Sequence, residues 1–141
     1  MDRAMNDTRA AYMTVRMVAR SPNTEFGTDV LGLYESPDGG GRSLVFDIAH
    51  SFTEQDRALG QDTYSLSVES GATDYAAVAS CEVSRKSVDI HVNSGSAARL
   101  GIPSKLILEL DLDAAGYDQL IQGLRAILGG GSRPARFHIA E

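Results

Sequence analysis

An α+β domain is the fold class that the sequence predicts, and three observations predict it. Short runs of alternating apolar and polar residues recur along the first 110 residues, separated by turn-forming clusters. One long stretch near the C-terminus instead carries apolar residues at helical spacing. Nothing repeats at a period of roughly 20–50 residues, which excludes solenoids and propellers. The expected architecture is an antiparallel sheet of about six or seven strands built from hairpins and a meander, with a C-terminal α-helix packed on one face and one or two short helices in the connections. The chain has 141 residues, 43% hydrophobic and 23% charged, ordinary globular usage that argues against disorder, collagen and coiled coil. It reads as a single α+β domain over residues 1–131 and a tail over 132–141, with residues 1–10 polar and frayed.

Ala11 to Ala19 is the first expected strand, with Met13, Val15 and Met17 on one face and Thr14 and Arg16 on the other. Gly27 to Tyr34 is the second. Ser36-Pro37-Asp38-Gly39-Gly40-Gly41 is the clearest turn: proline presets φ, aspartate caps its own backbone, and the glycines accept positive φ. Ser43 to Ala49 returns as a third strand with Leu44, Phe46 and Ile48 inward, completing a hairpin. Ser51 to Glu54 fits a capping box for a short helix over Thr53–Leu59, which Gly60 ends in the left-handed conformation. Thr63 to Glu69 sets Tyr64, Leu66 and Val68 against Ser65, Ser67 and Glu69, and Ser70-Gly71 turns it into a run from Tyr75 to Ser84. A tight connection over Ser84–Ser87 leads into Val88–Val92. Ser94 to Leu100 is one short helical turn stopped by Gly101 and Pro103, and Lys105 to Leu110 is another strand. Asp113 caps the main helix, whose Tyr117, Leu120, Ile121, Leu124, Ile127 and Leu128 form one stripe up to a stop at Gly129. Gly129–Ser132 reads as a hinge, and Arg136-Phe137-His138-Ile139 as an edge strand for this chain or for a neighbouring copy.

Charge narrows the function. Thirteen basic and nineteen acidic residues leave a net charge of −6, the wrong sign for a phosphate backbone, so no nucleic-acid partner is expected. Residues 43–113 hold eleven acidic side chains against five basic ones. That acidity is either a solubilising surface or a face aimed at a basic partner. The single cysteine, Cys81, allows no internal disulfide and reads as a small buried hydrophobe. No apolar signal core and no spanning stretch is visible, so a cytoplasmic location without a membrane partner is expected.

No catalytic or metal-binding pattern stands out. His50, His91 and His138 are scattered, with no His-x-x-x-His or Cys-x-x-Cys pair. His50 precedes Glu54 and Asp56 at a spacing that chance supplies, and a surface histidine at a strand end is the plainer reading. Gly39-Gly40-Gly41-Arg42-Ser43 lacks the lysine and the strand-then-helix context of a phosphate loop. Glu109, Asp111 and Asp113 would share one face of a strand and could raise a pKa or hold Ca²⁺ there. Against that, Asp113 is wanted as a helix cap and the other two on the wet side. No catalytic residue, metal or cofactor is assigned.

The most informative stretch runs from Phe52 to Leu66, where Gln55-Asp56, Ala58-Leu59-Gly60 and Asp62-Thr63-Tyr64 stand in order. Structurally, Ala58, Leu59 and Gly60 read as a helix end that packs on the sheet and reverses. Asp62 caps the next turn, and Tyr64 points inward with Leu66. Tyr75-Ala76-Ala77-Val78 and Ala98-Arg99-Leu100-Gly101-Ile102-Pro103 follow downstream. Over about residues 40–128 this resembles the immunity protein 10 family, the small cytoplasmic antidotes that accompany bacterial polymorphic toxins. Ser65 stands where the family has cysteine, and Ala76 and Ala77 where it has two glycines. The resemblance implies a non-enzymatic protein that binds a cognate toxin. In that setting Glu54, Asp56, Asp62 and Asp74 form the acidic toxin-contact set, while Gln55, Ala58, Leu59, Gly60, Thr63 and Tyr64 are motif positions with structural roles. Two other classes stay open from the residues themselves: a small-molecule-binding or enzymatic α+β domain with a cleft under the helix, and a structural module that forms a homodimer through a sheet edge or the C-terminal tail.

Overall fold

The computed structural model describes residues 11–140; the expected fraying of residues 1–10 lies outside them. The fold is α+β as the pattern predicts, but its strands form two five-stranded sheets instead of one. The first is an antiparallel meander, in chain order, of β2 (Met17–Ser21), β3 (Thr28–Tyr34), β4 (Ser43–Ala49), β5 (Ser65–Val68) and β6 (Thr73–Tyr75). The second has the order β10 (Arg136–Ile139), β7 (Val78–Val83), β8 (Ser87–Val92), β9 (Lys105–Leu110), β1 (Met13–Val15). Its three middle strands are antiparallel, while β1 joins β9 and β10 joins β7 in parallel. The helices are α1 (Glu54–Ala58), α2 (Ser94–Leu100) and α3 (Ala114–Leu128).

Two runs expected as single strands are each broken at a bend that carries the chain from one sheet to the other. The Ala11–Ala19 run divides at Arg16. Val15 accepts from Asp111 N–H in the second sheet, and Arg16 N–H donates to Tyr34 in the first. Met13 and Val15 are therefore core, but Met17 leaves the face they share and Val18 takes over the packing on the core. The Tyr75–Ser84 run divides at Ala76, whose φ of 53° makes it the one positive-φ non-glycine among the described residues. Its N–H donates to Tyr64 and its carbonyl accepts from Asn93 Nδ2, which ties the corner on both sides. Apolar–polar alternation continues through such bends because each half-strand still has one buried face.

The inner faces of both sheets meet in one core. Leu31, Leu33, Leu44, Phe46 and Leu66 come from the meander and Val83, Val88, Ile90, Leu106 and Leu108 from the second sheet, all fully buried. α3 begins where Asp113 Oδ1 accepts from Gly116 N–H at 2.8 Å. It lays Leu120, Leu124, Ile127 and Leu128 against β2, β3 and β4, each fully buried. Burial of four such side chains contributes about 2 kcal/mol apiece relative to exposure. Gly123 permits the close approach: a Cβ there would lie 2.9 Å from Leu31 Cδ1.

Two local expectations need correction. The capping box sits two residues later than expected: Thr53 Oγ1 accepts from Asp56 N–H at 3.0 Å and Asp56 Oδ2 from Thr53 N–H at 2.9 Å. Thr53 and Asp56 bear the same three-residue spacing as Ser51 and Glu54, so both pairs fit the sequence rule. The Gly129–Ser132 segment is not a hinge. A Cβ on Gly130 would meet Ile48 Cδ1 at 2.8 Å, one on Gly131 would meet Thr63 Cα at 2.5 Å, and Ser132 N–H donates to Asp62 at 2.9 Å. Glycine serves close approach here, not freedom. The tail then returns to this chain as β10.

Candidate functional site

Strand direction gathers the Phe52–Leu66 stretch at one end of the molecule. β3 starts and β4 finishes there, with Thr28 opposite Ala49, so the 22–27 hairpin tip and the 50–64 segment share that end. α3 delivers Gly130 and Gly131 to it as well. Hydrogen bonds join the three pieces. His50 N–H donates to Gly27, and the His50 ring donates from Nε2 to the Pro22 carbonyl at 2.9 Å. Arg133 donates to the Gly60 carbonyl, and Gln61 N–H to Asp56 at 2.7 Å. His50 therefore braces a loop, the surface role its position suggests.

Thr63 and Tyr64 are buried beneath this end. The Tyr64 hydroxyl donates to the Val78 carbonyl at 2.9 Å and accepts from Val78 N–H at 3.0 Å. Burial pushes the phenol pKa up, with the Val78 bond opposing it. Gly60 takes φ 72°, reversing the chain after α1 as expected. Leu59 departs from expectation. It is 59% exposed and does not pack on the sheet, because it stands at the helix terminus where the backbone turns away. Gln55 and Ala58 are also exposed, on α1.

The four acidic residues meet different fates. Glu54 is exposed on α1, and Asp56 beside it gives one oxygen to the cap. Asp62 is half-buried, and the contact it makes is through its carbonyl to Ser132, not as a side-chain cap. These three share the motif end. Asp74 stands apart on β6, where its Oδ2 accepts from Arg99 Nε at 3.1 Å and Nη2 at 2.9 Å. Burial works to raise its pKa, but bonds from Arg99, Ser96 and Tyr75 N–H outweigh that and hold the carboxyl below its usual value. Asp74 thus ties β6 to α2. Sequence reasoning passed over Phe26, which is 83% exposed; the available signal was an aromatic between Glu25 and Gly27, outside any alternating run.

Elsewhere the chemistry is structural. Burial, with the Asp89 charge added, pushes the Cys81 thiol up to about 12, far from a nucleophile's range. Glu109 accepts from the Thr14 hydroxyl, Asp111 lies 3.8 Å from Arg16, and Asp113 caps α3, so the three carboxylates are parted. Among the described residues no three His, Cys, Asp or Glu side chains gather as a metal-holding group. Grooves of about 340 and 750 Å³ beside α3, lined by Arg85, Lys86 and Tyr117, open to solvent near the N-terminal end of the helix.

The family model described as Immunity protein 10 matches residues 14–118. The chain belongs to the immunity protein 10 family. The match begins well before residue 40, within β1, takes in β2 and β3, and ends at Asp118 within α3. No curated protein and no solved structure matches the chain. The family implies an immunity protein and hence a toxin as its partner. The matched residues include the bend at Ala76, where the backbone takes a positive φ. Among the described residues no helix is long and apolar enough to cross a membrane.

Proposed function

We propose that this protein neutralises a toxin domain encoded beside it by docking onto that domain, without a reaction of its own. The family match over residues 14–118 carries the proposal. The surface chemistry supports it: Glu54, Asp56 and Asp62 share one end of a chain with net charge −6, a field suited to fast encounter with a basic partner. Docking blocks the toxin's active site or locks its conformation, and it does so in the cytoplasm of the bacterium that makes both proteins. The test is to mix the purified protein with the toxin domain encoded next to its gene. Inhibition with binding tighter than about 1 μM is expected. No binding and no inhibition at micromolar concentration would remove the proposal.

A further inference from the structure

Phe26 and Leu59 are the two large apolar side chains that stand exposed among the described residues, at 83% and 59%. Both belong to the motif end, one on the 22–27 hairpin tip and one at the C-terminus of α1. Isolated exposed hydrophobics are ordinary on a surface. These two differ in how firmly the backbone beneath them is held.

Thr24 braces the hairpin tip. Its hydroxyl accepts from Phe26 N–H at 3.3 Å and Thr28 N–H at 3.2 Å and bonds the Thr28 hydroxyl, while its carbonyl accepts from Gly27 N–H at 3.0 Å. Gly27 at φ 72° completes the turn, and His50 ties it to the next segment. Leu59 is held by its N–H to Gln55, by the Gly60 reversal and by Arg133 on the Gly60 carbonyl. Each side chain is thus presented to water from a fixed backbone, with little ordering left to lose on association.

We infer that Phe26 and Leu59 are the apolar anchors by which this end docks into a basic protein surface bearing an apolar cleft. Charge identifies the partner. Glu25 adjoins Phe26, and Glu54, Asp56 and Asp62 lie on the segment that carries Leu59. Against these four carboxylates stand Arg57 and Arg133, the latter turned onto Gly60. Apolar anchors inside a charged rim are the usual anatomy of a protein-binding hot spot.

The inference rests on the toxin-docking reading and narrows it to one end of the molecule. Wild-type protein, Phe26→Ser, Leu59→Ser, the double variant Glu25→Lys/Glu54→Lys and the opposite-end control Lys86→Ser are each titrated by calorimetry onto the toxin domain encoded beside the gene. Thermal unfolding confirms that all five are folded. Each anchor variant is expected to weaken binding by about 30-fold. Charge reversal is expected to weaken binding by about tenfold, and Lys86→Ser to stay within about twofold of wild type. Wild-type binding with all motif-end variants within twofold of it overturns this inference alone; no wild-type binding overturns the docking reading with it. A wild-type dimer in solution that Phe26→Ser converts to monomer would make this end a self-association surface and also overturn it.

Discussion

Tyr64 holds both polar groups of one buried residue, donating to the Val78 carbonyl and accepting from its N–H across the corner between the sheets. Phenylalanine would fill the same space and leave both groups unpaired. Tyr64→Phe is therefore expected to destabilise by about 2 kcal/mol, lowering Tm by about 5 °C in a calorimetric scan. Asp74 makes a pH-dependent contribution. Its folded pKa lies below its unfolded one, so its stabilisation is present above the unfolded value of about 4 and is lost as pH falls through the folded one. Arg99 is mostly exposed, so solvent screening keeps the pair to about 1 kcal/mol or less. Asp74→Asn should lower Tm by about 3 °C at pH 7, and the gap should close below about pH 4.

At the scale of elements, glycine choice marks where segments press together and where the chain must bend. Gly131 combines a φ of 81° with a path hard against the Thr63 backbone. Gly131→Ala is expected to cost about 2–3 kcal/mol, visible as a lower urea midpoint with unchanged slope. Ala76 is the reverse case. A side chain occupies a left-handed position that glycine takes without strain, so Ala76→Gly should relieve strain and stabilise by up to about 1 kcal/mol after the entropic cost of glycine, read in the same urea titration.

These positions also show what the sequence made legible. Strand Ser43–Ala49, helix Ser94–Leu100 and the stripe of α3 were readable because each buries a single face, which periodicity reports directly. The bends at Arg16 and Ala76 were not, since alternation survives a change of sheet, and the hinge reading of Gly129–Ser132 failed because composition does not distinguish a flexible glycine from one under a neighbouring side chain. Of the site, the motif and the grouping of Glu54, Asp56 and Asp62 were legible. The Asp74–Arg99 ion pair was not legible, because the two lie twenty-five residues apart in sequence. Leu59 is exposed where the sequence predicts packing, because burial at a helix end depends on which way the next turn leaves.

For the molecule as a whole, the two bends make the sheets one unit. β1 and β2 are continuous chain shared between them, as are β6 and β7, and a single core lies inside. Neither sheet keeps its buried face without the other. Native-state hydrogen exchange is therefore expected to show β3–β4 amides and β8–β9 amides opening with the same free energy, that of global unfolding. Separate values differing by more than about 1 kcal/mol would contradict a single cooperative unit.

The pairing of β1 with β9 also sets a schedule. Thr14 meets Glu109, ninety-five positions later, so β1 waits for β9 to be made before it has its neighbour in the sheet. At synthesis rates of about 5–20 residues per second that delay is about 5–20 s, during which the second sheet is not yet assembled. The second sheet therefore completes only once β9 and then β10 have been made.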